Sequence, residues 1–316
     1  MRVTTIGSCQ PAIVAGDQVI DVSDFVGEAI MGVAPRRRMP ALIGALNSGG
    51  LNLEPALSRA GVPLLQSPPG APLERPGKIL VALSNFGEGV DAVAGPISIA
   101  MKLPSSVLEP DGTVILPDVK AVVFHHEAQL AVVIGTGGKN IPASRAMDHV
   151  FGFTCAININ ARGLGFGMGI NTDSFDTFTP LGPWIVSRDE IGDVTALRLT
   201  LHVNGELRED FRISEALHPV PDLISFASRL STLEPGDVIL TGACYRGVGP
   251  VQGGDALALT IEGIGQLNAR VHDPLTRRWP CGVDAGLAEA ARQARRDGTP
   301  IPFGAVSVSQ LNQESE

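Results

Sequence analysis

The sequence predicts an α+β protein: a rolled, mixed β-sheet core with a few covering helices, preceded by a small N-terminal α/β domain. Three observations carry that expectation. Runs rich in β-branched residues, bounded by Gly, Pro or Asp, recur along most of the chain, as strands between turns do. Glycine and proline number 37 and 24 among 316 residues while aromatics make up only 4%, a composition that favours turn-rich β structure over a helical bundle. Strands and helices do not alternate regularly, so a doubly wound parallel sheet is not expected.

Taken in order, residues 1–26 alternate apolar runs with Gly-Asp turn signals and read as two or three short strands in a meander. Residues 41–61 turn helical in period. The proline-dense stretch 63–78 reads as a linker, because X-Pro bonds hold the chain extended. The organisation is therefore a small domain at 1–70, a core at 71–275, and a C-terminal helix with a polar tail at 276–316. Within the core, strands are expected in 78–86, 121–135, 182–187, 197–207, 237–243 and 256–271, with helical spacing in 144–157 and 218–233. Residues 283–298 read as a plain surface helix, and 310–316 as a fraying tail.

Composition also excludes functions. Lys and Arg number 24 against 33 Asp and Glu, a formal charge of −9, and Arg36 to Arg38 form the one basic cluster. Phosphate binding needs clustered cations, so no nucleic-acid partner is expected. No stretch reaches the roughly 18 apolar residues of a spanning helix, and the opening residues lack the apolar core of a secretion signal. A cytoplasmic protein without a membrane partner is expected. Its four cysteines, Cys9, Cys155, Cys244 and Cys281, show no paired spacing and read as free thiols.

Six segments carry a resemblance: PGKILVALSNF (76–86), HHEAQLAVVIG (125–135), FGFTCAININARG (151–163), SFDTFTPLGPWIV (174–186), LEPGDVILTGACYRGVG (233–249) and GGDALALTIEGIGQL (253–267). In order and spacing they resemble the fumarylacetoacetate hydrolase superfamily, over roughly residues 75 to 272. The resemblance implies that superfamily's rolled β core, a homodimer, and a divalent cation, magnesium or manganese, held by three carboxylates. No organic cofactor is expected.

The chain departs from that pattern at its chemical positions. Two of the implied ligands share a strand as an i, i+2 pair, which places both on one face. Here that pair is Glu127 and Gln129, and the third ligand position is Asn158, so two carboxylates have become amides. The position implied for the catalytic histidine falls at Gly89, and the substrate-facing lysine position is Asp173. Arg162 is kept, while the following Asp is Gly163. The usual Thr-Gly-Thr-Pro turn reads Thr241, Gly242, Ala243, Cys244. Counting only Glu127 and Asp173, the site keeps a formal charge of −2. This predicts either a weakened cation site on Glu127, Gln129 and Asn158, or a metal-free site in which Glu127 and Asp173 act as a proton-transfer pair.

Arg162 joins those two as a catalytic candidate, because a guanidinium binds a carboxylate bidentately. Lys102, His126, Thr241, Gly242, Cys244 and Tyr245 are the substrate-binding candidates. Adjacent strand residues point to opposite faces, so at most one of His125 and His126 joins Glu127. The implied function is an enzyme acting on a small oxo-acid or β-dicarbonyl compound. Its reaction is C–C hydrolysis or a lyase, hydratase, isomerase or cyclase variant, with weakened or no metal dependence. The alternative is a non-catalytic protein of this fold that binds a small acid or a partner subunit.

Overall fold

The computed structural model describes residues 1–164 and 173–299. Strands β1 (Arg2–Ile6), β2 (Gln10–Ala15) and β3 (Gln18–Asp21) open the chain, followed by helices α1 (Glu28–Met31) and α2 (Arg38–Asn47). Next come β4 (Val62–Pro63), β5 (Ile79–Leu83), β6 (Ser98–Lys102), β7 (Val107–Leu108) and β8 (Thr113–Ile115). The long pair β9 (Val123–Ile134) and β10 (Val150–Arg162) follows, then β11 (Thr179–Ser187) and helix α3 (Arg188–Ile191). The chain continues through β12 (Arg198–Val203), β13 (Glu206–Arg212), α4 (Val220–Leu230), β14 (Val238–Leu240), β15 (Ala256–Ile261), β16 (Gly265–His272) and α5 (Ala285–Asp297).

The strands form two mixed sheets. The larger runs β4-β3-β2-β1-β11-β10-β9-β14-β5-β6, with β7 beside β11, and the smaller runs β13-β12-β15-β16-β8. β9 and β10 lie at the centre of the larger sheet and are buried along their whole lengths. Alternation then sorts their side chains between two cores. Ala128, Leu130, Val132, Ile157 and Ile159 face the apolar cluster shared with the smaller sheet. Ala131, Val133 and Ala156 face a second cluster shared with β1, β2, α2, β5 and β14. On that second face, toward the start of β9 and the end of β10, the row turns polar, and the candidate site lies there.

Residues 1–70 extend the large sheet, since β1 pairs antiparallel with β11 in the register Arg2 to Val186. The proline-rich stretch is pinned to β1: Gly70 donates its amide to the Thr5 carbonyl at 2.8 Å, and the Thr5 hydroxyl donates to the Ala71 carbonyl at 2.9 Å.

Two expectations are corrected. Residues 144–157 are not a helix: a 3₁₀ turn over Ala143–His149 leads directly into β10. Pairing with β9 on one side and β11 on the other overrides the helical spacing of so short a run. Helix α5 is not a plain surface helix, because Leu287, Ala291 and Ala294 pack against Tyr245 and Val248. The tail at 310–316 lies outside the described residues.

Candidate active site

The register of β9 on β10 builds the site. Glu127 stands opposite Asn158, and Gln129 opposite Ala156, so their side chains share one face. Lys102, at the end of β6, reaches the same place, as does Asp173. All are buried: Lys102 is 0% exposed, Asn158 1%, Asp173 2%, Glu127 3% and Arg162 5%. Buried charges persist in folded proteins only when paired and hydrogen-bonded: Glu127, Arg162 and Lys102 are hydrogen-bonded within the cluster, and the Asp173 charge acts on both Lys102 and Arg162.

Both Glu127 oxygens are taken. Arg162 Nη2 donates to Oε1 at 2.6 Å, while Asn158 Nδ2 and Gln129 Nε2 donate to Oε2 at 2.8 and 3.1 Å. The two amide oxygens are taken as well. Lys102 Nζ donates to Asn158 Oδ1 and to the Phe178 carbonyl at 2.9 Å, and the Gly242 amide donates to Gln129 Oε1 at 3.1 Å. Burial pushes the Lys102 ammonium down to about 8, against the pull of Asp173 and Glu127.

This donor set does not fit a divalent cation. A hard cation wants several oxygens, mostly charged, converging on one point. Here the carboxylate faces amide N–H groups and a guanidinium, and the amide oxygens face an ammonium and a backbone N–H. The −2 counted from Glu127 and Asp173 is cancelled by Lys102 and Arg162, so an added divalent ion would leave the buried site at +2. No group of three or more His, Cys, Asp or Glu side chains that could hold a metal occurs among the described residues.

The loop after β14 forms the adjoining wall. Gly242 adopts φ +94°, and a Cβ there would stand 2.7 Å from the Ala82 carbonyl oxygen, so glycine is required. The Thr241 hydroxyl is buried without a partner among the described residues. Asn85 fixes this loop by donating to the Thr241 carbonyl at 2.9 Å and to the His218 carbonyl at 3.1 Å. Burial pushes the Cys244 thiol up, and the nearby Glu88 adds to the rise, so Cys244 is a poor nucleophile. The Tyr245 ring centre lies 5.8 Å from the Arg162 guanidinium carbon, and burial followed by the Glu127 charge raises its phenol.

Of the residues singled out from sequence, Lys102, Glu127, Gln129, Asn158, Arg162 and Asp173 come together, with Gly242 bonded to them and Tyr245 against Arg162. His126 is corrected. It points to the opposite face of β9, where its Nδ1 lies 2.9 Å from Oε1 of the fully buried Glu209. Burial lowers His126 to about 3 and raises Glu209 well above its ordinary range, so burial disfavours the charged form of both partners. His125 instead shares Glu127's face: Arg162 Nε donates to its Nδ1 at 3.4 Å, and Asp284 stands 3.3 Å from its Nε2.

Sequence reasoning missed Glu88. It is 2% exposed, with Oε2 accepting from the Arg246 amide at 3.1 Å and from Cys244 Sγ at 3.6 Å. A signal was present in Gly87-Glu88-Gly89, an acidic residue between glycines just past a buried strand. At Gly89, where the resemblance implies histidine, φ is +72° and a Cβ would stand 2.9 Å from Arg246 Nη1, so a side chain there strains the backbone and displaces that guanidinium.

Comparisons with known proteins agree with this architecture. Residues 82–272 match the family described as fumarylacetoacetate (FAA) hydrolase, C-terminal. The chain is 30% identical to maleylpyruvate hydrolase of Aquipseudomonas alcaligenes, covering 86% of this chain and 99% of that protein. It is 36% identical to a mitochondrial oxaloacetate tautomerase of Bos taurus, covering 69% and 72%. The crystal structure of maleylpyruvate hydrolase from Sphingobium sp. SYK-6, in complex with manganese(II) and pyruvate, superposes with a TM-score of 0.76 at 31% identity, covering 86% and 99%.

Proposed function

The chain belongs to the fumarylacetoacetate hydrolase family, and on that premise we propose that it is an enzyme moving a proton beside the ketone of a small oxo-acid or β-dicarbonyl compound. The reaction class is isomerisation, tautomerisation or a lyase step, run without a bound metal. The observation that carries this is the occupation of every candidate ligand oxygen by an N–H donor of the chain itself.

The fixed charges suit that chemistry. An enolate concentrates negative charge on the former ketone oxygen, and preorganised donors in a dry site stabilise such charge far more than water does. An ammonium carries three donors, and among the described residues Lys102 directs two, to Asn158 and Phe178. The third, with the unpartnered Thr241 hydroxyl, is a donor for the substrate oxygen. Arg162 and its Glu127 partner brace the wall. Among the described residues no helix is long and apolar enough to cross a membrane, and all four cysteines are free. Both support reading the protein as cytoplasmic, and the family premise supports a homodimer.

The test is an assay of oxaloacetate keto–enol interconversion by protein stripped with EDTA. Activity that survives chelation, and does not rise with added manganese or magnesium, is expected. Activity that appears only with metal contradicts the proposal.

A further inference from the structure

We propose that Glu88 is the acid–base group of this site, its free oxygen taking and returning the proton on the carbon beside the substrate ketone. This rests on the function proposed above and assigns its central step.

The geometry of Glu88 differs from that of Glu127. Glu127 has both oxygens bonded, but among the described residues Glu88 has only Oε2 bonded, and Oε1 is buried without a partner. A buried polar atom left unpaired is rare and calls for a reason. The backbone beneath it is also unusual: Glu88 takes φ +59° and Gly89 φ +72°, and left-handed non-glycine residues cluster at functional sites.

Nearby cations leave Glu88 uncommitted. Arg295, from α5, donates to the Ser84 and Phe86 carbonyls. Arg246 is paired with Glu215 at 2.7 Å. Their charges therefore reach Glu88 without locking it in an ion pair. Burial raises its carboxyl to about 7, opposed by the backbone donors of the 245–246 segment, Arg295, the Cys244 thiol and Arg246. A group near neutrality holds both protonation states, as acid–base exchange requires.

Its position fits the role. Cys244, which donates to Glu88, is followed by Tyr245, and the Tyr245 phenol feels the charges of Glu127, Arg162 and Glu88 together. Glu88 is thus linked to the Arg162–Glu127 pair through the Cys244–Tyr245 segment. In the step, Glu88 Oε1 takes the α-proton, the C–H electron pair becomes the C=C bond, and the carbonyl π pair moves onto oxygen. The resulting carboxylic acid returns a proton to that oxygen, giving the enol. The reverse sequence returns a proton from Glu88 to carbon.

The experiment is proton NMR of pyruvate and oxaloacetate in D2O with the EDTA-treated protein, following loss of the α-proton signal, for wild type, Glu88→Gln and Glu88→Asp. Wild-type exchange that falls at least about a hundred-fold in Glu88→Gln, with partial recovery in Glu88→Asp, is the expected result. Exchange at the wild-type rate in a folded Glu88→Gln overturns the assignment and leaves the proposed function standing. If the wild type exchanges neither compound, the proposed function falls for these substrates. Glu88 is then judged by the 13C carboxyl resonances of glutamate-labelled protein titrated with oxalate, a planar mimic of an enolate. A resonance absent from Glu88→Gln that moves on binding supports the contact, and one that stays fixed overturns it.

Discussion

Lys102 donates its ammonium to the side-chain oxygen of Asn158, an atom the resemblance assigns to a divalent cation. Asn158 in turn donates to Glu127 at 2.8 Å, so the amide links a buried cation to a buried anion. Where the resemblance implies a metal shell, these side chains form a network of internal charges.

The Glu127–Arg162 pair holds the network together. Removing one partner of a buried ion pair strands the other charge and costs about 3–5 kcal/mol, whereas removing both costs far less. Arg162→Met is therefore expected to lose about that much stability in urea unfolding. The double variant Arg162→Met/Glu127→Gln is expected to recover most of it. Additive losses in the double variant would contradict a direct pair.

Lys102 predicts a pH effect of definite sign. Its folded pKa is lowered to about 8 from 10.5, so between those values the unfolded chain binds more protons and stability rises with pH. The contribution is present above 10.5 and lost as pH falls through 8. The difference in unfolding midpoint between wild type and Lys102→Met, followed from pH 7 to 11, is expected to show that rise. A flat difference contradicts a buried, depressed ammonium.

Glu88 predicts the opposite slope. Its folded pKa is raised to about 7 from 4.5, so the folded state binds the extra proton and stability is lost as pH rises between the two. At about 1.4 kcal/mol per pKa unit, the effect is of order 3 kcal/mol. Glu88→Gln is expected to be more stable than wild type above pH 7 and equal to it below pH 4. Equal stability across the range contradicts a buried ionisable carboxyl.

Gly242 ties the loop to the network through Gln129. An Ala there combines φ +94° with a 2.7 Å approach to the Ala82 oxygen, for a cost of about 1–3 kcal/mol. Thermal melting of Gly242→Ala is expected to show a corresponding drop, and an unchanged midpoint would contradict the close packing of this turn.

Much of this was legible in the sequence, for identifiable reasons. The fold followed from bounded β-branched runs such as 121–135, and the shared face of Glu127 and Gln129 followed from strand alternation. The loss of carboxylates at 129 and 158 was readable as a weakened site. That a lysine and an arginine fill it was not, because it depends on β6 delivering Lys102 and on the register of β10. His126 was misplaced for a different reason. Alternation alone already places His125, two residues before Glu127, on its face and turns the adjacent His126 away, so this error lay in applying the rule and not in the sequence. Glu88 escaped notice because its burial comes from α5 and the 241–246 loop, both distant in sequence.

The central claim, that fixed cations of the chain stand where a metal would, is tested most directly by calorimetric titration of chelator-stripped protein with manganese. The account predicts no saturable binding up to millimolar cation in the wild type, and gain of binding when Gln129→Glu and Asn158→Asp are combined with Lys102→Met. Saturable wild-type binding that disappears in Glu127→Ala would contradict it.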